Sequence, residues 1–327
     1  MTENAHPKKM LSAQMMNYGS YDVIKINQVV TPNLESTHIL VKVYGSSINP
    51  LDCKLREGLF KSMIFGSLPR TLGFDIVGEV VSMGPLVKHF RIGDRIIAKS
   101  MSLPGGAHAE YINLPERVCA VLPESIDFIT ASGLPLSGLT ALQALRDHLH
   151  VRPGDKVLIN GAGGGVGHLA LQLAKIMRSE VTVVVSNKQI EWATLLGADK
   201  VVCYGDGVIE SLKTKFDKVF DVAGNIPKSV AKSIMKPNGR FVSTDFSIQS
   251  SISDVFSNVF QGQSFSTVMV RSSRMDLDYL INLVVHQLLR VQVDKVFDFV
   301  DIAKAHQYMT TRRGVGKVVI QFSEAKA

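Results

Sequence analysis

In "VLINGAGGGVGHLALQLAK" an apolar run meets five glycines and then a helical pattern. Such a loop lets the backbone approach a pyrophosphate closely and turns amide groups toward it at a helix N-terminus. The spacing is Gly161, Gly164, Gly167, a G-x-x-G-x-x-G run; a strict G-x-G-x-x-G is absent because Val166 takes the sixth position. Glycines also serve ordinary turns, but placement between strand and helix favours a nucleotide, with Gly161, Gly164, Gly165, Val166 and Gly167 as its candidate contacts. An NAD-preferring site ends its second strand with an acid ~20 residues on, which takes the ribose 2′-hydroxyl. Here that strand ends "VTVVVSNKQ". Ser186, Asn187 and Lys188 offer donors and a positive charge, and charge-assisted hydrogen bonds of ~1.5–3 kcal/mol each then favour NADPH. The plainer reading of the same three residues is a solvated loop. Tyr204, ending the third strand at "VVCY", either stacks near the adenine or simply packs.

Other reactive side chains are sparse. Cys53, Cys119 and Cys203 are odd in number and far apart, which argues against a disulfide framework and against a cysteine-rich zinc site. His148 and His150 end a helix without a cysteine or acid cluster and read as solvated surface. In "TLGFDIVGEVVSMG", Asp75 and Glu79 are candidate acids whose alternative is a structural or surface role.

The elements that must position these residues fall into two patterns. Up to about residue 123, short alternating segments such as "HILVKVYG" and "DRIIAKS" are broken by Gly, Pro and Asp turns, as in a small all-β domain. From "VRPGDKVLIN" onward, strand, loop and helix alternate, the signature of a parallel βαβ sheet. Strands are expected at Val157–Asn160, Val181–Val185, Lys200–Tyr204, Lys218–Val222 and Arg240–Ser243, with a sixth around Ser266–Val270. That is the strand count of a doubly wound dinucleotide fold, whose ligands bind outside the strands' carboxyl ends.

Composition sets the outer limits. A chain of 327 residues exceeds what one hydrophobic core usually supports, so two domains are expected. With 46% apolar and 20% charged residues the balance is that of a soluble globular protein, and no apolar run approaches the ~18 residues of a membrane span. The N-terminus lacks the apolar core and cleavage pattern of a secretory signal, so a cytoplasmic location is expected. A net charge of +7 is scattered rather than gathered into a basic stripe; it suits an anionic small ligand better than nucleic acid.

With "SSINPLDCKLREG", "LGFDIVGEVVSMGPLVKHFRIGDRI", "GGAHAEYINLPE", "ASGLPLSGLTALQAL", the glycine loop, "LGADKVVCY", "FDKVFDVAGN" and "RGVGKVVI" in this order, nearly the whole chain resembles the medium-chain dehydrogenase/reductase superfamily. Within it the chain is similar to the zinc-free quinone oxidoreductase and enone reductase branch. The resemblance implies an α/β architecture: a GroES-like β-barrel domain from residues 1–123 and 272–327, and a Rossmann NADP-binding domain, a doubly wound parallel sheet, from 124–271. It further implies an active site in the cleft between them and a homodimer paired through the sixth strand. Zinc-dependent relatives carry a cysteine at the position of Asn49, a histidine at Phe74, and a cysteine or acid near Leu136, so no metal is expected; Cys53 reads as a small core residue.

Without a Lewis acid, alcohol oxidation is hard to support. Reduction of a quinone or an α,β-unsaturated carbonyl needs orientation, donors for the carbonyl oxygen, and a proton. The resemblance implies Asn49 beside the nicotinamide ribose, with Pro50 fixing the turn. Thr140 either lies near the nicotinamide or packs within its helix. Gly224, Asn225, Ser243 and Thr244 follow strand ends and should line the cofactor cleft. Bacterial quinone oxidoreductases carry tyrosines at the positions of Lys54 and Phe60, so a tyrosine acid does not carry over. Lys54 either stabilises the developing oxygen charge or faces solvent, and water is an equal candidate proton source. The expected activity is NADPH-dependent reduction of a small quinone or enone; the alternative is a non-catalytic NADPH-binding protein acting on RNA or a partner.

Overall fold

The computed structural model describes residues 6–63, 66–245, 262–311 and 314–322. The chain first lays down β1 (Lys9–Met15), β2 (Ile24–Val30), β3 (His38–Ile48), β4 (Arg70–Thr71), β5 (Asp75–Met83), β6 (Arg95–Lys99), β7 (Tyr111–Pro115) and β8 (Cys119–Val121). Helix α1 (Pro50–Arg56) follows β3, and α2 (Phe128–Ser132) and α3 (Pro135–Gln143) follow β8. The parallel region holds β9 (Lys156–Asn160), α4 (Gly165–Ile176), β10 (Glu180–Val185), α5 (Ile190–Leu195), β11 (Lys200–Cys203), β12 (Phe216–Asp221), α6 (Lys228–Ile234), β13 (Met235–Ser243) and β14 (Ser264–Thr267). Last come α7 (Arg274–Val285), β15 (Val293–Asp298), α8 (Ile302–Thr311) and β16 (Lys317–Gln321).

These elements divide into two units: Met1–Leu136 with Arg271–His286 and Val291–Ala327, and Ser137–Val270 with Gln287–Arg290. The first boundary lies later than the expected 123/124, and its cause is local. Asp127 caps α2 by accepting the Thr130 amide (2.8 Å), α2 packs on β3 and β5, and the Leu136 amide donates to Asp75 Oδ1 at 2.6 Å. Gln287–Arg290 joins the second unit because the Gln172 side chain bonds Arg290 twice, Nε2 to its carbonyl (2.9 Å) and Oε1 to its amide (2.8 Å).

In the first unit β3 is the organising strand. It pairs antiparallel with β5 along one edge, and with β7 over His38–Lys42 and β16 over Gly45–Ile48. The sheet order is β15-β16-β3-β5-β6-β8, with β2-β1-β4 as a separate sheet. Its core side chains, Ile39, Leu40, Val41, Ile76, Val77, Ile96 and Ile97, are fully shielded from solvent.

In the second unit the order is β11-β10-β9-β12-β13-β14, every pairing parallel. Nearly continuous apolar strands such as "KVLIN" and "EVTVVV" form it because a parallel sheet is covered on both faces. All six expected strands are present with shifted ends: β13 begins at Met235, β14 spans Ser264–Thr267, and Tyr204 falls just past β11. Strand order reverses between β9 and β12, so the crevice at their carboxyl ends is the topological switch point. Among the described residues no helix is long and apolar enough to cross a membrane. The arginine that opens "RGVGKVVI", and the one before it, lie outside the described residues.

Candidate cofactor and active site

The glycine loop leaves β9 at the switch point and enters α4. Gly161 has φ +92°, a left-handed conformation that only glycine adopts without strain. A Cβ on Gly167 would stand 2.1 Å from the Gly161 carbonyl oxygen, so the first turn of α4 lies directly on the loop. Gly164 differs: its nearest neighbour to such an atom is 3.6 Å away, and it stands at the N-cap with no side chain serving the first-turn amides. The first helical hydrogen bond runs from His168 N to Gly164 O (3.1 Å), which leaves the amides of Gly165, Val166 and Gly167 ahead of it. Three donors without a partner among the described residues, at the positive end of a twelve-residue helix, suit a pyrophosphate.

Beneath the loop, two polar residues close the ends of β9 and β12. Asn160 Nδ2 donates to Asp221 Oδ1 (2.8 Å) and Asn225 Oδ1 (2.7 Å). Asp221 also accepts the Gly224 and Ile226 amides (2.9 and 2.8 Å), fixing the loop after β12. Burial raises its pKa against those hydrogen bonds. Asn160 Oδ1 is buried with no hydrogen-bond partner among the described residues, at the strand end that borders the switch point. Neither residue was singled out from sequence; the available signal was a polar residue closing an otherwise apolar strand, in "VLIN" and "KVFD".

After β10 the Gln189 side chain accepts the Ser186 amide (3.1 Å) as half of a capping box between the two residues. Asn187 and Lys188 are exposed beside it, and Asn187 Oδ1 accepts the Cys203 thiol at 2.8 Å. Tyr204 is 42% exposed, with its hydroxyl pushed up to about 12 chiefly by burial. It borders a cavity of about 190 Å³ together with Gly205, Asn225, Ile226, Pro227 and Val230. Ser243 is fully buried and donates to the Asp221 carbonyl (3.3 Å), and Thr244 donates to that of Val222 (2.9 Å). Both therefore shape strand ends with their hydroxyls. Thr140, on α3 of this unit, is buried. The partly buried His148 meets Ser266 Oγ at 3.2 Å and only His150 is fully exposed, so the surface reading fits the second and not the first.

In the first unit, Asn49 caps α1 and is 3% exposed. Its Nδ2 donates to Asp75 Oδ2 (2.8 Å) and its Oδ1 accepts from Lys317 Nζ (2.5 Å). Asp75 is fully buried and also accepts from the Ser47 hydroxyl, which excludes the surface alternative. Asp52 accepts the Asn49 and Gly73 amides (2.8 and 3.0 Å); burial drives its pKa up to about 7, with the Asp75 charge adding to the rise and Lys317 opposing it. Phe74 and Leu136 are buried apolar side chains. Pro50 is exposed and half-buried Lys54 makes no ion pair among the described residues. Cys53 is buried with its thiol pushed up to about 12 by burial, and its Sγ lies 3.8 Å from His306 Nδ1. His306 Nδ1 also faces Arg56 Nη1 at 3.3 Å; a guanidinium only donates, so this imidazole carries its proton on Nε2. Sequence reasoning passed over Lys317, Asp52 and His306. Lys317 had a signal, being the one charge inside "GKVVIQF".

Among the described residues no three His, Cys, Asp or Glu side chains gather as a metal ion requires. Two family models match the chain: "Alcohol dehydrogenase GroES-like domain" over residues 35–124 and "Zinc-binding dehydrogenase" over 196–320. The chain is 33% identical to the "NADPH-dependent alkenal/one oxidoreductase, chloroplastic" of Arabidopsis thaliana, across 96% of this chain and 80% of that one. It is 34% identical to the "Chloroplast envelope quinone oxidoreductase homolog" of the same plant, across 72% and 74%. Among solved structures, the quinone oxidoreductase from Coxiella burnetii superposes with a TM-score of 0.87 at 30% identity, covering 96% of this chain and 99% of its own. The chain belongs to the medium-chain dehydrogenase/reductase superfamily, in its quinone oxidoreductase branch.

Proposed function

We propose that this protein is an NADPH-dependent reductase of quinones and α,β-unsaturated carbonyls that works without a metal. The observation that carries the reading is the glycine loop at the switch point, whose three amides at the start of α4 have no partner among the described residues. Asn160 Oδ1, buried and without a hydrogen-bond partner among the described residues, fits a polar ligand at the same strand ends. The names of the Arabidopsis relatives supply the activity and the cofactor. They do not favour the RNA-binding alternative.

Bound NADPH would supply a hydride to the electrophilic carbon of the substrate. The chain's own residues would hold and orient it: the α4 amides would take the pyrophosphate, Ser186, Asn187 and Lys188 the 2′-phosphate, and Tyr204 would border the adenine. Gly224, Ser243 and Thr244 line the strand-end floor, and Thr140 and Asn49, with Pro50 setting its turn, meet the nicotinamide end. The gained electron pair places negative charge on the carbonyl oxygen. Lys54, an ammonium on α1 with no ion pair among the described residues, stabilises that charge, and a proton from water completes the reduction. In the three positions where zinc relatives carry ligands stand an amide already bonded at both ends and two apolar side chains, none suited to zinc. The same reading includes a homodimer and a cytoplasmic location.

A panel of enones and quinones, offered with NADPH and with NADH and scored by product identity, tests the reading. NADPH oxidation coupled to a reduced product, undiminished after chelation, is expected. NADPH binding without turnover of any member would overturn it.

A further inference from the structure

Asn49, Asp75 and Lys317 are 3%, 0% and 2% exposed, and they come from three elements that β3 gathers. Ile48, the last residue of β3, faces Val318 of β16 on one edge, while Gly45 faces Val77 of β5 on the other. The start of β16, the start of β5 and the N-cap of α1 therefore converge where β3 ends. Burying an ammonium and a carboxylate is costly, and replacing such a pair by apolar side chains is often neutral or stabilising. A barrel that needed only a core has no use for them.

What they do to Asn49 is specific. An ammonium only donates and a carboxylate only accepts, so together they decide which way the amide faces. Lys317 Nζ takes Oδ1 at 2.5 Å, Asp75 Oδ2 takes one Nδ2 hydrogen at 2.8 Å, and the ammonium lies farther, 3.5 Å, from that carboxylate. The amide dipole thus lies between two opposite charges, and in a buried site such bonds reinforce one another, so the amide is polarised as well as held.

We propose that Lys317 is a positioning residue, which orients and polarises the Asn49 amide for its contact at the nicotinamide end, with Asp75 as its counter-charge. The proposal rests on the reading of Asn49 given under the proposed function. Lys317 touches neither substrate nor cofactor; it acts through Asn49.

A double-mutant cycle separates this from a role in folding alone. Asn49→Ala, Lys317→Met and the double variant are compared in kcat/KM with an enone or quinone that the wild type reduces. NADPH dissociation constants and thermal midpoints are measured alongside. Each single change is expected to lower kcat/KM by about tenfold to a hundredfold, the range for losing a charge-assisted hydrogen bond. The double variant is expected to be no worse than the poorer single, with NADPH affinity moving in parallel. Should Lys317→Met leave Asp75 uncompensated and fail to fold, Lys317→Met/Asp75→Asn removes both charges and takes its place in the cycle. Losses that multiply, or that follow the thermal midpoint alone, overturn the role of Lys317 while leaving the reductase intact. A wild type that reduces nothing in the panel overturns both.

Discussion

Selectivity between NADPH and NADH comes down to one phosphate, and the residues offered to it are few. Lys188 is exposed, forms no ion pair among the described residues, and follows Ser186 by two positions. A charge held only by solvent in the free protein is available to a phosphate, and a charge-assisted contact contributes ~1.5–3 kcal/mol. Lys188→Ala should therefore weaken NADPH about tenfold or more while leaving NADH nearly unchanged, as read from the fluorescence of each dinucleotide on titration. Equal losses for both would remove Lys188 from the phosphate site. This residue was legible in the sequence because it stands where an acid would otherwise be. Asn160, Asp221 and Lys317 were not, since their significance depends on partners far away in the chain: Lys317 bonds Asn49, and Asn160 bonds Asp221 and Asn225. A lone polar residue in an apolar strand signals only that something must satisfy it.

On the second sheet the junction proposed to take the cofactor is that of β9, loop and α4, and its glycines have different duties. Gly167 is required by packing, since a Cβ there would overlap the Gly161 carbonyl; Gly164 has room at an ordinary φ of −80°. Gly164→Ala should thus keep the wild-type thermal midpoint yet lose NADPH affinity, because the added methyl stands at the helix N-cap where the phosphates approach. Gly167→Ala should lose both, at an overpacking cost of about 1–3 kcal/mol. Differential scanning calorimetry with and without NADPH checks the pair, and a Gly164→Ala protein that binds normally would place the phosphates elsewhere. At this scale the sequence was most informative: the buried apolar strands identified the sheet, and the glycine run fell between β9 and α4 where it was expected. Strand ends were less so. The nine-residue β13 begins at Met235, ahead of the expected Arg240, and resumes its pairing with β12 across an irregularity between Phe216 and Lys218. A pattern of apolar residues carries no mark of such a shift.

For the molecule as a whole, the buried polar cluster of the first unit ties stability to pH. Asp52 has a folded pKa near 7, well above the ordinary 3.8. Between those values the folded state holds a proton that the unfolded state has released, so this group's contribution falls as pH rises from about 4 to about 7. His108 works the other way, its pKa pressed down to about 4 by burial, so its contribution is lost as pH falls below its ordinary 6.5. Asp52→Asn removes only the first effect. The unfolding free energy of the variant relative to wild type should climb between about pH 4 and about pH 7 in urea titrations, the histidine effect cancelling in the difference. A constant difference would mean that Asp52 is ionised throughout. The division of the chain has one more consequence, for the moment of synthesis. β9 through β14 leave the ribosome as one continuous stretch, but β3 waits for β16, which pairs with it at Gly45–Ile48. At about 5–20 residues per second, the parallel sheet is complete several seconds before the barrel can close. During that interval the nascent chain carries an open strand edge and a buried acid still without its ammonium, and it is this half of the protein that a chaperone would meet.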